Sequence, residues 1–119
     1  MKHLIVIFVL AVLIAGMTLP AVQEAVPIAP VGLSSKADYE GAMAVASLTW
    51  QDESDNEVGF QILRSDNGEE FKVVGFVGAN TTKYKDKVGR YVTGSFTYRL
   101  RAFNQAGPSA DSNSSSVWF

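Results

Sequence analysis

The chain alternates. Ser95 to Phe103 reads SFTYRLRAF, which sets Phe96, Tyr98, Leu100 and Ala102 on one face of an extended strand and Thr97, Arg99, Arg101 and Phe103 on the other. Asn104, Gly107 and Pro108 then end the run at a turn. Similar runs recur from Pro30 to the last residue, with turn residues between them, and no window carries a 3.6-residue apolar period. A chain of short alternating runs without a crossover helix has to fold as antiparallel sheet.

The runs are legible in order. Pro30–Lys36 opens with a proline, which an edge strand tolerates. Met43–Trp50 places Ala46, Leu48 and Trp50 on one face, and a polar loop follows from Gln51 to Glu57. Val58–Ser65 points Val58, Phe60 and Ile62 inward. Asp66-Asn67-Gly68 is a tight-turn signal, because Asn and Gly tolerate positive φ. Glu69–Val77 returns, Gly78–Asn80 turns, and Thr81–Asp86 is a short strand with Tyr84 in and Lys83 and Lys85 out. A loop to Gly94, the Ser95–Phe103 strand and Asn113–Phe119 complete seven strands. The predicted fold is an all-β, seven-stranded antiparallel immunoglobulin-like sandwich. Its predicted core contains Leu48, Trp50, Phe60, Ile62, Tyr84, Tyr98 and Leu100.

The N-terminus is built differently. Lys2 precedes an apolar run, Leu4 to Met17, without a charged or polar side chain. That is short of the roughly 18–20 residues that cross a bilayer core. Small residues after Pro20 offer cleavage after Ala21 or, second, after Ala25. The expectation is a secretory signal peptide over residues 1–21, a linker over 22–29 and one domain over 30–119. The alternative is an uncleaved anchor over Leu4–Leu19. The chain is therefore expected to be secreted, or held at the cell envelope if the segment stays. With no cysteine, no disulfide or lipid thioether is available, and the domain must be held by its core.

Composition excludes several activities. Lys2 is one of the ten Lys and Arg residues, so nine face twelve carboxylates beyond Val22, a net charge of −3. No basic patch is concentrated enough for nucleic acid. The single histidine is His3, so the domain lacks imidazole and thiol, the commonest general base, thiol nucleophile and zinc ligands. Asp52, Glu53, Asp55 and Glu57 crowd one loop, but their spacing fits no calcium loop. Asn80-Thr-Thr and Asn113-Ser-Ser fit the glycosylation triplet, a pattern frequent by chance in Ser/Thr-rich chains. No enzyme activity, cofactor or metal is expected.

The segments SLTWQD, EVGFQILRS, TTKYKD and YRLRAFNQAGPSADS, in that order, resemble a fibronectin type III domain of the kind found in bacterial extracellular proteins. The resemblance covers Pro30 to Phe119. It implies that Trp50 is the core tryptophan and that the Tyr98 hydroxyl bonds back to the preceding loop near Val92, as a tyrosine corner. It also implies that the strands of Leu63 and of Arg99 are neighbours. Parity then turns Leu63, Arg99, Arg101 and Phe103 outward. Trp118 joins them if Val117 and Phe119 face the core, and is the inward residue in the other register. Exposed aromatic residues beside arginines have the composition of an interface hot spot. The expected function is an exported, non-catalytic module meeting a protein through that face. A polysaccharide-binding accessory and a passive spacer tethered by Leu4–Leu19 are the alternatives.

Overall fold

The computed structural model describes residues 24–119. The expected signal or anchor, residues 1–21 with its Leu4–Leu19 run, lies outside the described residues. The strands are β1 (Val31–Glu40), β2 (Met43–Gln51), β3 (Gly59–Asp66), β4 (Lys72–Gly78), β5 (Lys83–Arg90), β6 (Ser95–Asn104), β7 (Gly107–Pro108) and β8 (Ser115–Trp118). One sheet runs β1-β2-β5. The other runs β4-β3-β6, with β7 and β8 both pairing β6. All pairings are antiparallel. Among the described residues there is no helix.

The core lies between the sheets. Leu33, Ala46, Leu48 and Trp50 meet Phe60, Ile62, Phe96, Tyr98, Leu100, Ala102 and Val117, with Tyr84, Val88 and Phe119 partly buried against them. Leu48, Trp50, Phe60, Ile62, Tyr84, Tyr98 and Leu100 all lie in it or against it, but one residue that alternation points inward does not. Val58 is 58% exposed, because it still belongs to the loop. Its N–H donates to the Phe103 carbonyl at 2.8 Å, and regular alternation begins at Gly59. The Asp66–Gly68 turn has Asn67 at φ 52° and Gly68 at φ 79°, the positive pair that a two-residue hairpin loop requires.

The last strand is split in two. β7 ends at Pro108, which has no N–H to extend the ladder. Two buried serines carry the pairing across the gap. Ser109 Oγ accepts from the Ala102 N–H at 2.9 Å, and Ser112 Oγ accepts from the Leu100 N–H at 2.9 Å. In return the Ser109 and Ser112 N–H groups donate to the Ala102 and Leu100 carbonyls. Ser112→Ala therefore strands a buried donor on the central strand. It is expected to cost about 1–3 kcal/mol, read as a lower urea midpoint with unchanged slope, whereas Ser114→Ala, at an exposed position two residues on, should cost far less.

The stretch before β1 docks on the sandwich. Pro27 and Pro30 are buried. The Ala25 carbonyl accepts from Asn56 Nδ2 at 2.9 Å and from Asn104 Nδ2 at 2.8 Å. Farther along the same flank β1 and β8 are stitched by side chains. Ser35 Oγ lies 2.6 Å from Ser115 Oγ, and the Asn113 amide bonds both the N–H and the carbonyl of Leu33. Asn113 of the second glycosylation triplet is thus committed to the seam.

Candidate functional site

The outer face of β4-β3-β6 gathers most of the outward residues. Register sets Leu63 opposite Arg99, Gln61 opposite Arg101 and Gly59 opposite Phe103. A Cβ on Gly59 would stand 3.2 Å from the Phe103 ring and 2.4 Å from the Val77 carbonyl oxygen. Only glycine lets that ring lie so close over β3. Phe103 in turn meets Phe76 of β4 edge to face, with centroids 6.1 Å apart and planes at 88°. Phe76 is 62% exposed and Val73 44%.

The two arginines are positioned rather than free. Arg101 Nε donates to Asp111 Oδ1 at 2.6 Å, and Arg99 Nη1 lies 3.6 Å from Asp111 Oδ2. Arg99 Nε also donates to Ser114 Oγ at 2.8 Å, and its guanidinium sits 4.4 Å from the centre of the Phe71 ring. Such half-exposed pairs contribute little to stability. What they do is hold two planar cations in set orientations beside Phe71, Phe76 and Phe103.

Two expected members of the face stand differently. Leu63 is on the outward parity but only 3% exposed, so it supports the face from beneath and does not present itself to a partner. Trp118 is outward and 68% exposed, opposite Ser95. From Ser95 to Phe103 is eight residues along β6, about 26 Å at strand rise. Trp118 therefore belongs to the far end of the sandwich. Phe71, Val73, Phe76 and Asp111 take part instead.

Behind this face lies a buried ionic chain that alternation did not single out. Arg64 shares Tyr98's inward face, being its cross-strand partner. The Tyr98 hydroxyl donates to Asp86 Oδ2 at 2.7 Å, and Arg64 Nη1 donates to the same oxygen at 2.8 Å. Arg64 Nε donates to Asp66 Oδ1 at 2.6 Å, and Lys72 Nζ to Asp66 Oδ2 at 3.1 Å. The expected tyrosine corner toward Val92 is thus replaced. Residue 86 continues β5 inward from Tyr84, so a carboxylate reaches the hydroxyl from the facing sheet. Burial raises the Tyr98 pKa far above its usual value, and the bond to Asp86 adds to this. Burial alone would lower the Arg64 pKa, but its bonds to Asp66 and Asp86 outweigh that and raise it.

The Arg64 hydrogen bond holds Asp66 below the ordinary carboxylate range, against a smaller opposing effect of burial, with Lys72 helping to lower it. A depressed folded pKa gives stability that is present above the unfolded value and lost as pH falls through the folded one. Asp66→Asn is therefore expected to flatten the fall in the urea midpoint below about pH 4. An acid limb as steep as the parent's would reject this role. Glu57 works in the opposite sense. Burial and the bond to Asp52 raise its pKa, partly countered by the Asn80 N–H, which it accepts at 3.0 Å. Its contribution is lost as pH rises through that raised value.

The acidic loop is a structural clamp. Asp52 Oδ1 accepts from the Ser54 N–H at 3.0 Å, and Glu57 is buried against the Gly78–Asn80 turn. Among the described residues no group of three or more His, Cys, Asp or Glu could hold a metal ion.

Two antiparallel sheets with this order define an immunoglobulin-like β-sandwich. Solved structures narrow the class: the fold is fibronectin type III-like. A β-1,2-glucanase from Parabacteroides distasonis matches 84% of the chain at 29% identity and TM-score 0.65, and the chain covers 14% of that protein. An Fn3-like protein from Clostridium thermocellum matches 77% at 22% identity and TM-score 0.57, with 88% of it covered. The fibronectin type-III domain of human fibronectin type III domain containing protein 3 matches 83% at 18% identity and TM-score 0.58, with 91% covered. The chain is thus similar to small parts of long proteins and to nearly whole single domains. No protein-family profile and no curated protein sequence matches it.

Proposed function

We propose that this chain is an exported, non-catalytic interaction module that meets a protein partner at or outside the cell surface through the outer face of β4-β3-β6. The observation that carries the reading is the edge-to-face Phe76–Phe103 pair, with Phe76 exposed and Phe103 half-buried, on the same face as an Arg101 guanidinium held by Asp111. Aromatic residues and arginine are the types on which interface energy concentrates. Export rests on Lys2, the Leu4–Met17 run and the small residues near Ala21. Absence of catalysis rests on the lack of imidazole and thiol beyond His3.

A second reading is a carbohydrate-binding accessory. The likeness to part of a β-1,2-glucanase supports it, and the same aromatic pair would stack on sugar rings. Capture experiments separate the two. The protein would be presented to an envelope extract and to insoluble polysaccharides, beside a folded Phe76→Ala/Arg101→Ala/Phe103→Ala variant. Capture of a defined protein, lost in the variant and kept in Trp118→Ala, is the expected result. Retention on a polysaccharide alone would move the reading to carbohydrate, and no capture by either form would sink both. The tethered spacer has its own test: an intact mass short by about 21 to 25 residues removes the Leu4–Leu19 anchor.

A further inference from the structure

We propose that two copies of this chain pair through β4, edge to edge and antiparallel about a twofold axis, so that one sheet runs through both. The inference shares Phe76 and Phe103 with the partner-binding face but does not depend on a partner binding there.

A sandwich has sheet edges, and an unguarded edge invites another strand. Here the edges are treated differently. β1 is sewn to β8 by Ser35, Ser115, Leu33 and Asn113. β5 exposes Lys83, Lys85 and Lys87 along its length, the charged guard that discourages pairing. Among the described residues β4 has β3 as its one sheet neighbour, with Tyr84 of β5 reaching Gly75 from the other sheet. It reads KVVGFVG, with one charge at its start and with Val73 and Phe76 exposed.

The register favours a second copy over another strand. β4 carries an extra residue against β3: Ile62 faces Gly75 and Leu63 faces Val73, so Val74 is unmatched. For this reason Val73 and Phe76, three apart, both point outward. A regular strand laid alongside would fall out of parity with one of them. A second β4 carries the same extra residue and stays in step. A twofold between Val74 and Gly75 sets Val73 of each copy opposite Phe76 of the other. Cross-strand pairs of an aromatic with a β-branched residue are favourable. Phe103, already against Phe76, extends each pair into an apolar row.

Charge agrees. In this register Lys72 lies opposite Val77 of the other copy. That is the end of β4 leading to Gly78, Asn80 and the acidic Asp52–Glu57 loop. The two Lys72 positions are about five residues apart along the strand, roughly 17 Å at strand rise. Each lysine keeps its own Asp66 and is held away from its mate.

The test is sedimentation velocity of the full chain in nonionic detergent over a concentration series. A protein mass rising to twice 12.9 kDa is expected. Val73→Lys/Phe76→Lys should remain monomeric at every concentration with its unfolding still cooperative, and Lys83→Ala/Lys85→Ala on β5 should still dimerise. The chain has no cysteine, so disulfide trapping gives an independent reading. Oxidised Val73→Cys/Phe76→Cys should run as a covalent dimer. Within one strand those positions are about 10 Å apart, beyond disulfide reach. A monomeric parent that gives no covalent dimer overturns the inference. So does a dimer that survives the double lysine change, which would place the contact elsewhere. Partner capture by a monomeric parent would sink the pairing and leave the binding face standing.

Discussion

Asp86→Ala is expected to lower the unfolding free energy by about 3–5 kcal/mol, the usual cost of removing one partner from a buried ion pair. The effect has two parts. The Arg64 side chain is only 11% exposed and keeps Asp66, but its Nη1 loses the acceptor at 2.8 Å. The Tyr98 hydroxyl, in a residue with no exposed surface, loses the acceptor at 2.7 Å. Tyr98→Phe removes only the second part and should cost about 1–1.5 kcal/mol. Asp86→Asn keeps an oxygen for the hydroxyl while discarding the charge, so it should fall between the two. Urea unfolding of the three variants measures this directly, and the double change Tyr98→Phe/Asp86→Ala should cost less than the sum of the singles. If Asp86→Ala costs no more than Tyr98→Phe, Arg64 is satisfied by Asp66 alone and the chain of charges is not a unit.

That ionic chain marks where alternation stops being informative. Period-2 reasoning places side chains on faces, and for apolar residues face is enough. Phe96, Tyr98, Leu100 and Ala102 are inward in the structure as in the pattern. The same parity puts Arg64 on the face of Ile62 and Asp86 on that of Tyr84, yet charged side chains are ordinarily outward, so neither was singled out. Only the pairing across the two sheets shows that they meet. The signal was present, as two opposite charges on inward parity in strands from different sheets.

The binding face was legible in part for a related reason. Arg99, Arg101 and Phe103 follow from an unbroken strand. Phe76 and Val73 do not, because the extra residue at Val74 slips the count between them. A bulge is a property of the pair of strands, invisible in either alone. Val58 failed because the acidic loop runs one residue further than composition suggests, pinned by the Glu57 bond to Asn80. Trp118 resolved to the outward register, since Val117 is 3% exposed and packs in the core. Its distance from Phe103 could not be read from parity. Position along a strand needs the pairing partner, here Ser95.

Trp50→Ala is expected to cost about 3–5 kcal/mol, the range for deleting a large aromatic from a packed core. The indole is 5% exposed and meets Phe60 edge to face at 5.7 Å and 61°. The backbone would be unaffected, since the Trp50 N–H donates to the Thr82 carbonyl at 3.0 Å whatever the side chain. The loss is therefore one of burial and of the cavity left behind. One detail predicts how a conservative change should behave. Trp50 Nε1 is buried without a hydrogen-bond partner among the described residues, a condition that itself costs about 1–3 kcal/mol. Trp50→Phe discards the unpaired donor together with one ring. Its net cost should therefore be well below the area lost, and well below that of Trp50→Ala. Thermal unfolding separates the cases, since 1 kcal/mol moves the midpoint of a domain of this size by about 4–8 °C. Trp50→Ala should lower it by more than 10 °C, on that conversion, and Trp50→Phe by a small fraction of that. Equal losses for the two would mean that the indole N–H is satisfied and contributes, and the burial argument for this position would have to be abandoned.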